Sequence, residues 1–531
     1  MQQAPGPKLA LNISRRAFVM ACSMVIFGYF ALWLLNFKDI YGWIMDDGYY
    51  FYRGTKIVEN PWKLFDTWNY VHLNHLIFGT LPILLNYDIP SLTLPEFEAR
   101  TGIFRGFLLL TILLHGALIA LWMIILDRLR LNRLIALAAF LLFVTGPTLT
   151  FWAPLPDSRM LGLLAFLPGW LILFRLDTAH RLAIPRPWGR TAFWVGVLFS
   201  LSQSLQYTTI YIIMPVLFVY FSHAMITCRD RIGVARMALA CLAGCLTVPL
   251  VTELLSAAAG VPTALGPFMT YLERWNAHRA FDTLEPPRVM WLRMFTLELG
   301  WPLCGLAVVG LAAALAGSGT RSGVDRRTLS LLAVVIVIGL CQQFFSGSQA
   351  MFRQVSVLLP FLFIFVAIGA VAVASVVPGP RARAAVAAVI LVVAAIIPVR
   401  ESITVFRAQR GLGEVMDWAA AAADGHRVRW LPIAWFAPGE TAVRTEAELR
   451  NLDPDDLLIT YFPYTFLNTY PEVEAVLNRL PPLYSRPTLY TTNAMWCETH
   501  ARGSPDTRQV PVRSEARVYR VGDLLEQWPA R

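Results

Sequence analysis

The sequence predicts a mainly α-helical membrane protein, a polytopic transmembrane bundle followed by a small C-terminal α/β domain. Hydrophobic residues make up 56% of the 531 residues and charged residues only 15%, whereas a soluble globular chain carries about 25% charged residues. The mean hydropathy is +0.53. The apolar residues are gathered in blocks that approach the roughly 20 residues with which a helix crosses a bilayer. Helices formed by such apolar blocks are stable in a lipid bilayer, so the pattern predicts a membrane protein.

The apolar blocks predict about eleven membrane-spanning helices. Their predicted bounds are 17–37, 103–126, 132–150, 159–176, 191–203, 207–225, 237–256, 297–316, 329–345, 355–377 and 384–399. The stretch 191–225 also fits one long tilted helix, because only a short polar segment interrupts it. We predict two spans there, since two preserve the alternation of charge between successive connections.

The distribution of charge predicts the orientation of the chain in the membrane. The net charge of +10 is spread over short connections rather than one basic patch, which argues against a nucleic-acid partner. Arginines fill the connections on one side, where the only acids are Asp127, Asp177, Asp230 and Asp325. Basic connections face the cytoplasm. We therefore predict a multi-pass protein of the plasma (inner) membrane with a cytoplasmic N-terminus and an extracytoplasmic C-terminus.

Two regions follow from the change of composition near residue 400. Residues 1–400 form the predicted transmembrane domain, with a large first outside loop at 38–102. Residues 401–531 have the composition of an ordinary soluble domain. Their predicted helices are 412–423 and 440–452, and their predicted strands are 428–433, 457–461 and 518–521.

An acidic pair opens the first outside loop. Asp46 and Asp47 lie shortly beyond the first span, and a helix that starts here places Asp46 on one face with Tyr50 and Arg53. Helix capping and solvation at the membrane surface explain such acids adequately. Alternatively, partial burial and mutual repulsion raise the pKa of one carboxyl group towards that of a general base. Spacing alone leaves both interpretations open.

The pair also carries a resemblance to a known superfamily. An uncleaved first span, two acids at the start of a long outside loop, about eleven spans and an outside C-terminal domain resemble the GT-C glycosyltransferases. The run Asp46-Asp47-Gly48-Tyr49 is similar to the corresponding stretch of mycobacterial arabinosyltransferases. The run from Asp47 to Tyr50, followed by Arg53, resembles bacterial aminoarabinose and mannosyl transferases. In those families the first acid is taken as the catalytic base, which implies that role for Asp46 and an orienting role for Asp47.

A second match lies late in the chain. The run from Ala350 to Pro360 contains Arg353 and resembles the GT-C pattern of an arginine, an aromatic residue and an apolar run that reaches a proline. Gln354 stands where many relatives have Tyr, so the match is partial. The guanidinium group of Arg353 suits a carrier phosphate, although an arginine also anchors a helix at the membrane surface.

Four further residues are candidate substrate contacts. Asp157 and Arg159 lie in a short connection that faces the same predicted side as the acidic pair, although Asp157 also suits the N-cap of a helix. His72 and His75 are three residues apart in the first loop and suit an acceptor or a phosphate, although structural histidines are commoner. No third ligand accompanies them, so we predict no metal and no cofactor.

The resemblance implies an inverting glycosyltransferase. Its partners would be a sugar donor linked to polyprenyl phosphate, a glycan or lipid acceptor of the cell envelope, and membrane lipid. A transporter or lipid flippase is the first alternative, which predicts paired ionisable residues at mid-membrane and repeat symmetry. A non-catalytic envelope-assembly protein is the second alternative.

Overall fold

The computed structural model describes most of the helical segments of the chain. The described residues are 13–37, 40, 101–129, 131–154, 160–181, 188–206, 209–228, 230–258, 287–316, 326–345, 356–431, 443, 445–462, 471–488 and 514–528. Helices dominate the described residues up to 422, and a small sheet with short helices follows. The predicted class, a mainly helical chain with a small sheet near its C-terminus, is confirmed at this level.

Thirteen helices are described up to residue 422. They are α1 Arg15–Leu35, α2 Thr101–Arg128, α3 Arg133–Val144, α4 Pro147–Trp152, α5 Leu163–Arg181, α6 Trp188–Leu205, α7 Ile210–Thr227, α8 Arg231–Cys245, α9 Thr247–Ala258, α10 Pro287–Leu315, α11 Arg326–Phe345, α12 Leu359–Ala374 and α13 Pro380–Ala422. A 3₁₀ turn, Ser356–Leu358, precedes α12.

Five of the described segments are long and apolar enough to cross a membrane. They are Arg15–Leu35, Leu108–Arg128, Ile210–Thr227, Ser356–Ala374 and Pro380–Ala422. Four shorter apolar helices join them, at Arg133–Val144, Leu163–Arg175, Leu299–Leu315 and Thr328–Gln342. The stretch 191–225 is divided between α6 and α7, as we predicted. The total of about eleven spans stays a prediction.

The first three helices share one end of the bundle. Arg15, at the start of α1, donates hydrogen bonds of 2.8–3.2 Å to the carboxylate of Asp127, near the end of α2. Arg133, at the start of α3, donates to the backbone carbonyl of Ile13 at 3.2 Å. The start of α1, the end of α2 and the start of α3 therefore lie together, so α1 and α2 are antiparallel.

The third predicted span, 132–150, is a broken helix. Its two parts, α3 and α4, meet at Thr145 and Gly146, just before Pro147. Proline has no N–H and removes a hydrogen bond from the helix. The hydroxyl of Ser402 lies 2.5 Å from the carbonyl oxygen of Thr145 and 2.9 Å from that of Pro398. Helix α13 thus supplies a donor at the break.

Helix α12 lies at the centre of the bundle. Residues Leu359 to Ala370 are all buried, so neighbours surround this helix on every side. The ring of Phe361 contacts Trp122 of α2 at 5.3 Å and Trp170 of α5 at 5.1 Å between centroids, both edge to face. Such pairs of aromatic rings add about 0.5–1.5 kcal/mol to the stabilisation from burial.

Two glycines allow α10 and α12 to approach closely. A Cβ atom added at Gly310 would collide with the carbonyl of Phe365, and one added at Gly369 would collide with the carbonyl of Leu306. Small residues that let backbones touch are the usual device of helix pairs in membranes, where apolar burial gives little drive for association. The contact is reciprocal, since each helix contributes one glycine.

Helix α13 joins the predicted transmembrane part to the tail without interruption. Its 43 residues contain both the predicted span 384–399 and most of the predicted helix 412–423. The boundary that we predicted at residue 400 therefore falls inside one helix. Pro398 lies within the helix next to this boundary, but the helix continues past it.

The described strands of the tail form a sheet in the order β1-β2-β4-β3. The strands are β1 Val428–Trp430, β2 Leu457–Phe462, β3 Tyr484–Thr488 and β4 Ser514–Arg520. The first two are parallel and the other two pairs are antiparallel. Three short helices accompany them, α14 Glu446–Arg450, α15 Pro471–Leu477 and α16 Val521–Gln527.

The tail elements were predicted only in part. The described strands β1 and β2 overlap the predicted strands at 428–433 and 457–461, and α14 lies within the predicted helix 440–452. The last predicted strand, 518–521, overlaps β4 at 518–520 but misses the first part of β4, and Val521 already begins α16. Strand β3 was missed, since Pro487 lies within it and proline weighs against a strand.

The sheet packs on the C-terminal part of α13. Gly411 lies against the backbone carbonyl of Pro487 in β3 so closely that a Cβ atom would collide with it. Trp418 of α13 stacks on Tyr484 of β3 with ring centroids 4.9 Å apart. Arg486 donates to the carboxylate of Glu414 at 2.9 Å. These contacts fix the strand directly on the helix that continues into the bundle.

Gly310→Leu tests the contact between α10 and α12. The added side chain has no room against Phe365, so we expect the free energy of unfolding to fall by about 1–3 kcal/mol. Thermal unfolding in detergent measures the effect. Gly305→Leu is the matched control, because Gly305 is exposed on the same helix and has open space around its Cβ position. Equal losses in both variants would refute the contact.

Candidate functional site

All nine predicted site residues lie outside the described residues. They are Asp46, Asp47, Tyr50, Arg53, His72, His75, Asp157, Arg159 and Arg353. Their roles stay predictions. The described residues that precede or follow these segments show which part of the bundle the chain occupies next to each of them.

The segment with Asp46 and Asp47 follows the end of α1. Trp33, in the last turn of this helix, is 1% exposed. Its ring contacts Phe406 of α13 edge to face, with centroids 5.4 Å apart. The side chain of Asn36 donates to the carbonyl of Leu32 at 2.8 Å and so closes the helix end. The helix end that precedes the predicted outside loop therefore lies beside the middle of α13.

The segment with Asp157 and Arg159 follows α4, and this helix also ends on α13. The amide Nε2 of Gln409 donates to the carbonyl oxygens of Thr150 at 3.0 Å and Phe151 at 2.9 Å. The last carbonyls of a helix lack partners within it. Gln409 is 0% exposed, and its two N–H groups match two buried acceptors.

The starts of the two predicted site segments are thus brought to the same stretch of α13. Phe406 and Gln409 are three residues apart, which places them on neighbouring positions of one helical face. One contacts the last turn of α1 and the other contacts the end of α4. The last turn of α1 and the end of α4, which precede the segments with the acidic pair and with Asp157, consequently lie at one end of the bundle.

Two buried polar atoms at this end have no hydrogen-bond partner within the described part of the chain. They are Oε1 of Gln409 and Nε1 of Trp152. An unpaired polar group costs roughly 1–3 kcal/mol when it is buried. The pair comprises one acceptor and one donor, so a polar environment suits this end of α4.

The sequence interpretation missed Gln409 and Ser402. Both are polar residues in a helix that continues an apolar span, and both are buried. A signal existed, because a buried polar side chain requires a partner. Ser402 pairs with the carbonyl of Thr145 at the break before Pro147, and Gln409 pairs with carbonyls at the end of α4. Both pairings depend on tertiary structure.

The N-cap interpretation of Asp157 is wrong for the helix that follows it. Helix α5 begins at Leu163, after a turn in which the N–H of Leu163 bonds to the carbonyl of Met160 at 2.9 Å. An N-cap residue directly precedes the first helical residue, and Asp157 is too early in the chain. Capping of α5 therefore does not account for this carboxylate.

Arg353 lies shortly before the 3₁₀ turn that opens α12. Ser356, Val357 and Leu358 are buried, and Leu358 packs at Gly339 of α11. The chain thus enters the bundle directly into its core. Arg353 is the last basic residue in the sequence before this entry, and its role stays a prediction.

A histidine, His115, lies within the apolar helix α2. His115 of α2 is fully buried, and its Nδ1 lies 2.8 Å from the carbonyl of Thr111. The carbonyl accepts, so the proton is on Nδ1 in this geometry. Its burial and this hydrogen bond are those of a packed polar residue of the bundle.

The described residues contain one group with the spacing of a metal site. His426, Asp453 and Asp455 place their ligand atoms within 4.8 Å of one another, and all three are exposed. They lie before β1 and β2, whose N-terminal ends are adjacent because the strands are parallel. Exposed acids often gather without an ion, and this group is separate from the predicted site.

Comparison with known proteins adds no family. No protein-family model matches the chain, and no curated protein sequence is significantly similar to it.

Gln409→Leu tests the attachment of α4 to α13. The substitution leaves the carbonyls of Thr150 and Phe151 without their donor, so we expect the stability to fall by about 1–3 kcal/mol. The melting temperature in detergent measures this. Thr404→Val is the control, since the Thr404 hydroxyl bonds only the Arg400 carbonyl of its own helix. An unchanged melting temperature in Gln409→Leu would show that the two bonds contribute little.

Proposed function

We propose that the chain is an inverting membrane glycosyltransferase of the GT-C type. It transfers a sugar from a polyprenyl-phosphate carrier to a glycan or lipid acceptor of the cell envelope, on the outer face of the membrane. One observation supports the proposal most. The segment with Asp46 and Asp47 and the segment with Asp157 and Arg159 both start beside the same stretch of α13, between Ser402 and Gln409.

This convergence matters because the reaction needs acids and bases from distant parts of the sequence. In the proposed mechanism Asp46 accepts the proton of the acceptor hydroxyl as its oxygen attacks the anomeric carbon. The bond from that carbon to the phosphate oxygen breaks, and the phosphate leaves with the electron pair. Attack opposite to the leaving group inverts the configuration. Asp47 orients Asp46 or raises the pKa of its carboxyl group.

The proposed roles of the basic residues follow from the charge of the leaving group. Arg353, with Arg159, stabilises the phosphate as its negative charge develops. The planar guanidinium group binds two phosphate oxygens at once. Tyr50, Arg53, His72, His75 and Asp157 are assigned to the sugar or the acceptor.

The proposal includes the finer architecture. About eleven spans form residues 1–400, the N-terminus is cytoplasmic, and residues 401–531 form an extracytoplasmic α/β domain of a plasma-membrane protein. Contacts at the two ends of the bundle support this arrangement. Arg15, Asp127 and Arg133 lie at the end predicted to be cytoplasmic, and the starts of the predicted site segments lie at the other.

Asp46→Asn tests the proposed base. An amide cannot accept the proton, so we expect the transfer rate to fall by about 10²–10⁴-fold. The assay uses full-length protein in membranes supplied with sugars linked to polyprenyl phosphate, and radiolabelled product is counted. Asp417→Asn, at an exposed position of α13, is the control and should be fully active.

Unchanged transfer by Asp46→Asn would remove Asp46 as the base. If the wild-type chain transferred no sugar from any donor, a transporter or a non-catalytic assembly protein would become the better assignment. Inversion is checked independently, because the anomeric configuration of the product is read by NMR.

A reporter fusion tests the orientation. Alkaline phosphatase fused after Arg531 folds only outside the cytoplasm, so we expect the fusion to be active in intact cells. The matched fusion after Arg231, in a connection predicted to be cytoplasmic, should be inactive. Activity in the opposite pattern would invert the topology and place the acidic pair on the cytoplasmic face.

A further inference from the structure

Helices α5, α7 and α11 enclose an apolar groove in the bundle. Its lining includes Trp170 and Phe174 from α5, Val216 and Tyr220 from α7, and Thr328 and Leu332 from α11. The empty space amounts to about 470 Å³, part of which is open to the surroundings. All three helices belong to the apolar part of the chain, so the medium at this groove is lipid if the bundle spans a membrane.

The groove has a defined direction between α7 and α11. Gly339, late in α11, lies beside the backbone carbonyl of Tyr211 at the start of α7. Further along α7, Tyr220 lines the groove together with Thr328 from the beginning of α11. The two helices are therefore antiparallel here, and Tyr220 and Thr328 mark the same end of the groove.

Helix α5 runs towards that end as well. The ring of Trp170 contacts Phe361, which shortly follows Leu358, and Leu358 packs at Gly339. Trp170 thus lies towards the Gly339 end of the groove. Phe174, one turn further along α5, lies towards Thr328, and the exposed Arg175 follows it.

Thr328 carries an unsatisfied polar atom at this end. Its side chain lines the groove and is 7% exposed, and its hydroxyl oxygen has no hydrogen-bond partner within the described part of the chain. A buried hydroxyl without a partner is costly. A ligand with an oxygen acceptor at the mouth of the groove would satisfy it.

The sequence that follows Phe174 and the sequence that precedes Leu329 are both basic. The stretches 175–190 and 316–328, which include the end of α5 and the start of α11, hold seven arginines and two aspartates. The arginines are Arg175, Arg181, Arg186, Arg190, Arg321, Arg326 and Arg327. Basic surroundings at a pocket between helices favour an anionic lipid head group.

We propose that this groove binds one acyl chain of an anionic glycerophospholipid. The chain lies against Trp170, Val216 and Leu332, an ester oxygen accepts the hydrogen bond of Thr328, and the phosphate lies near Arg175. The apolar lining, the Thr328 hydroxyl and Arg175 follow one another along the groove. The hydrocarbon chain, the ester and the charged phosphate of such a lipid occur in the same order. The proposal concerns the end of the bundle opposite to the proposed site and is independent of the proposed glycosyl transfer.

Lipid retention by the full-length chain tests this inference. Protein purified in detergent is mixed with phosphatidylglycerol or phosphatidylcholine of matched chains, and bound lipid is counted by native mass spectrometry. We expect a single phosphatidylglycerol to bind at least about 5-fold more strongly than phosphatidylcholine, because each arginine near a lipid surface contributes roughly this factor. Equal binding of the two lipids would overturn the proposal.

Variants distinguish the groove from the general lipid surface. Leu332→Trp fills the groove, so phosphatidylglycerol binding should fall about 10-fold or more. Leu239→Trp places the same side chain on an exposed face of α8 and should leave binding unchanged. If both variants bind as the wild type does, the lipid lies elsewhere and the inference fails.

Two conservative variants keep the test decisive if Leu332→Trp does not fold. Thr328→Val preserves shape and removes only the hydroxyl, so we expect binding of both lipids to weaken by about 3–10-fold. Arg175→Gln should weaken phosphatidylglycerol alone and abolish most of the preference between lipids. Wild-type binding by both variants would contradict the assigned contacts.

Discussion

The fold depends on hydrogen bonds to backbone carbonyls that would otherwise be buried without a donor in an apolar bundle. In hydrocarbon there is no water to satisfy a broken helix, so another part of the protein must supply the donor. The helix breaks at Gly146 and Pro147, and α13 supplies the donors that are needed there. Ser402 donates to a carbonyl at the break, and Gln409 donates to carbonyls at the end of α4. These bonds tie the third predicted span to the last one, although more than 250 residues separate them.

The same pairing determines where the chain can leave the bundle. The end of α1 packs on Phe406, between the two polar residues of α13. The ends of α1 and α4, which are far apart in sequence, therefore both lie against the same stretch of α13. Function in such an arrangement would reside in the loops, and the helices would act as the scaffold that sets their origins.

Much of the helical part could be predicted from the sequence, because apolar blocks of sufficient length have one stable form in a bilayer. The division of 191–225 into two helices followed from the short polar segment in its middle and from charge alternation. Sequence could not predict that α13 continues through residue 400, since Pro398 lies just before that boundary and proline usually ends or kinks a helix. It also could not predict β3, which contains Pro487 and whose stability comes from packing on Gly411 and Trp418.

The candidate site was predicted by residue type and resemblance, and its nine residues lie outside the described ranges. The residues that organise its surroundings were missed for a physical reason. Ser402 and Gln409 act on main-chain atoms, which are the same in every sequence and so leave no complementary side chain to recognise. Their importance becomes visible only when burial and hydrogen-bond geometry are known.

The continuity of α13 has a mechanical consequence. A helix of 43 residues extends over about 65 Å at 1.5 Å per residue. The sheet packs on this helix, and the end of α4 accepts hydrogen bonds from it. Gln409, which donates to the end of α4, is only two residues from Gly411, which contacts β3, so the sheet and α4 attach to the same part of this helix. A load applied to the sheet, by crowding or by a large polymer, would therefore reach the end of α4 through this short stretch.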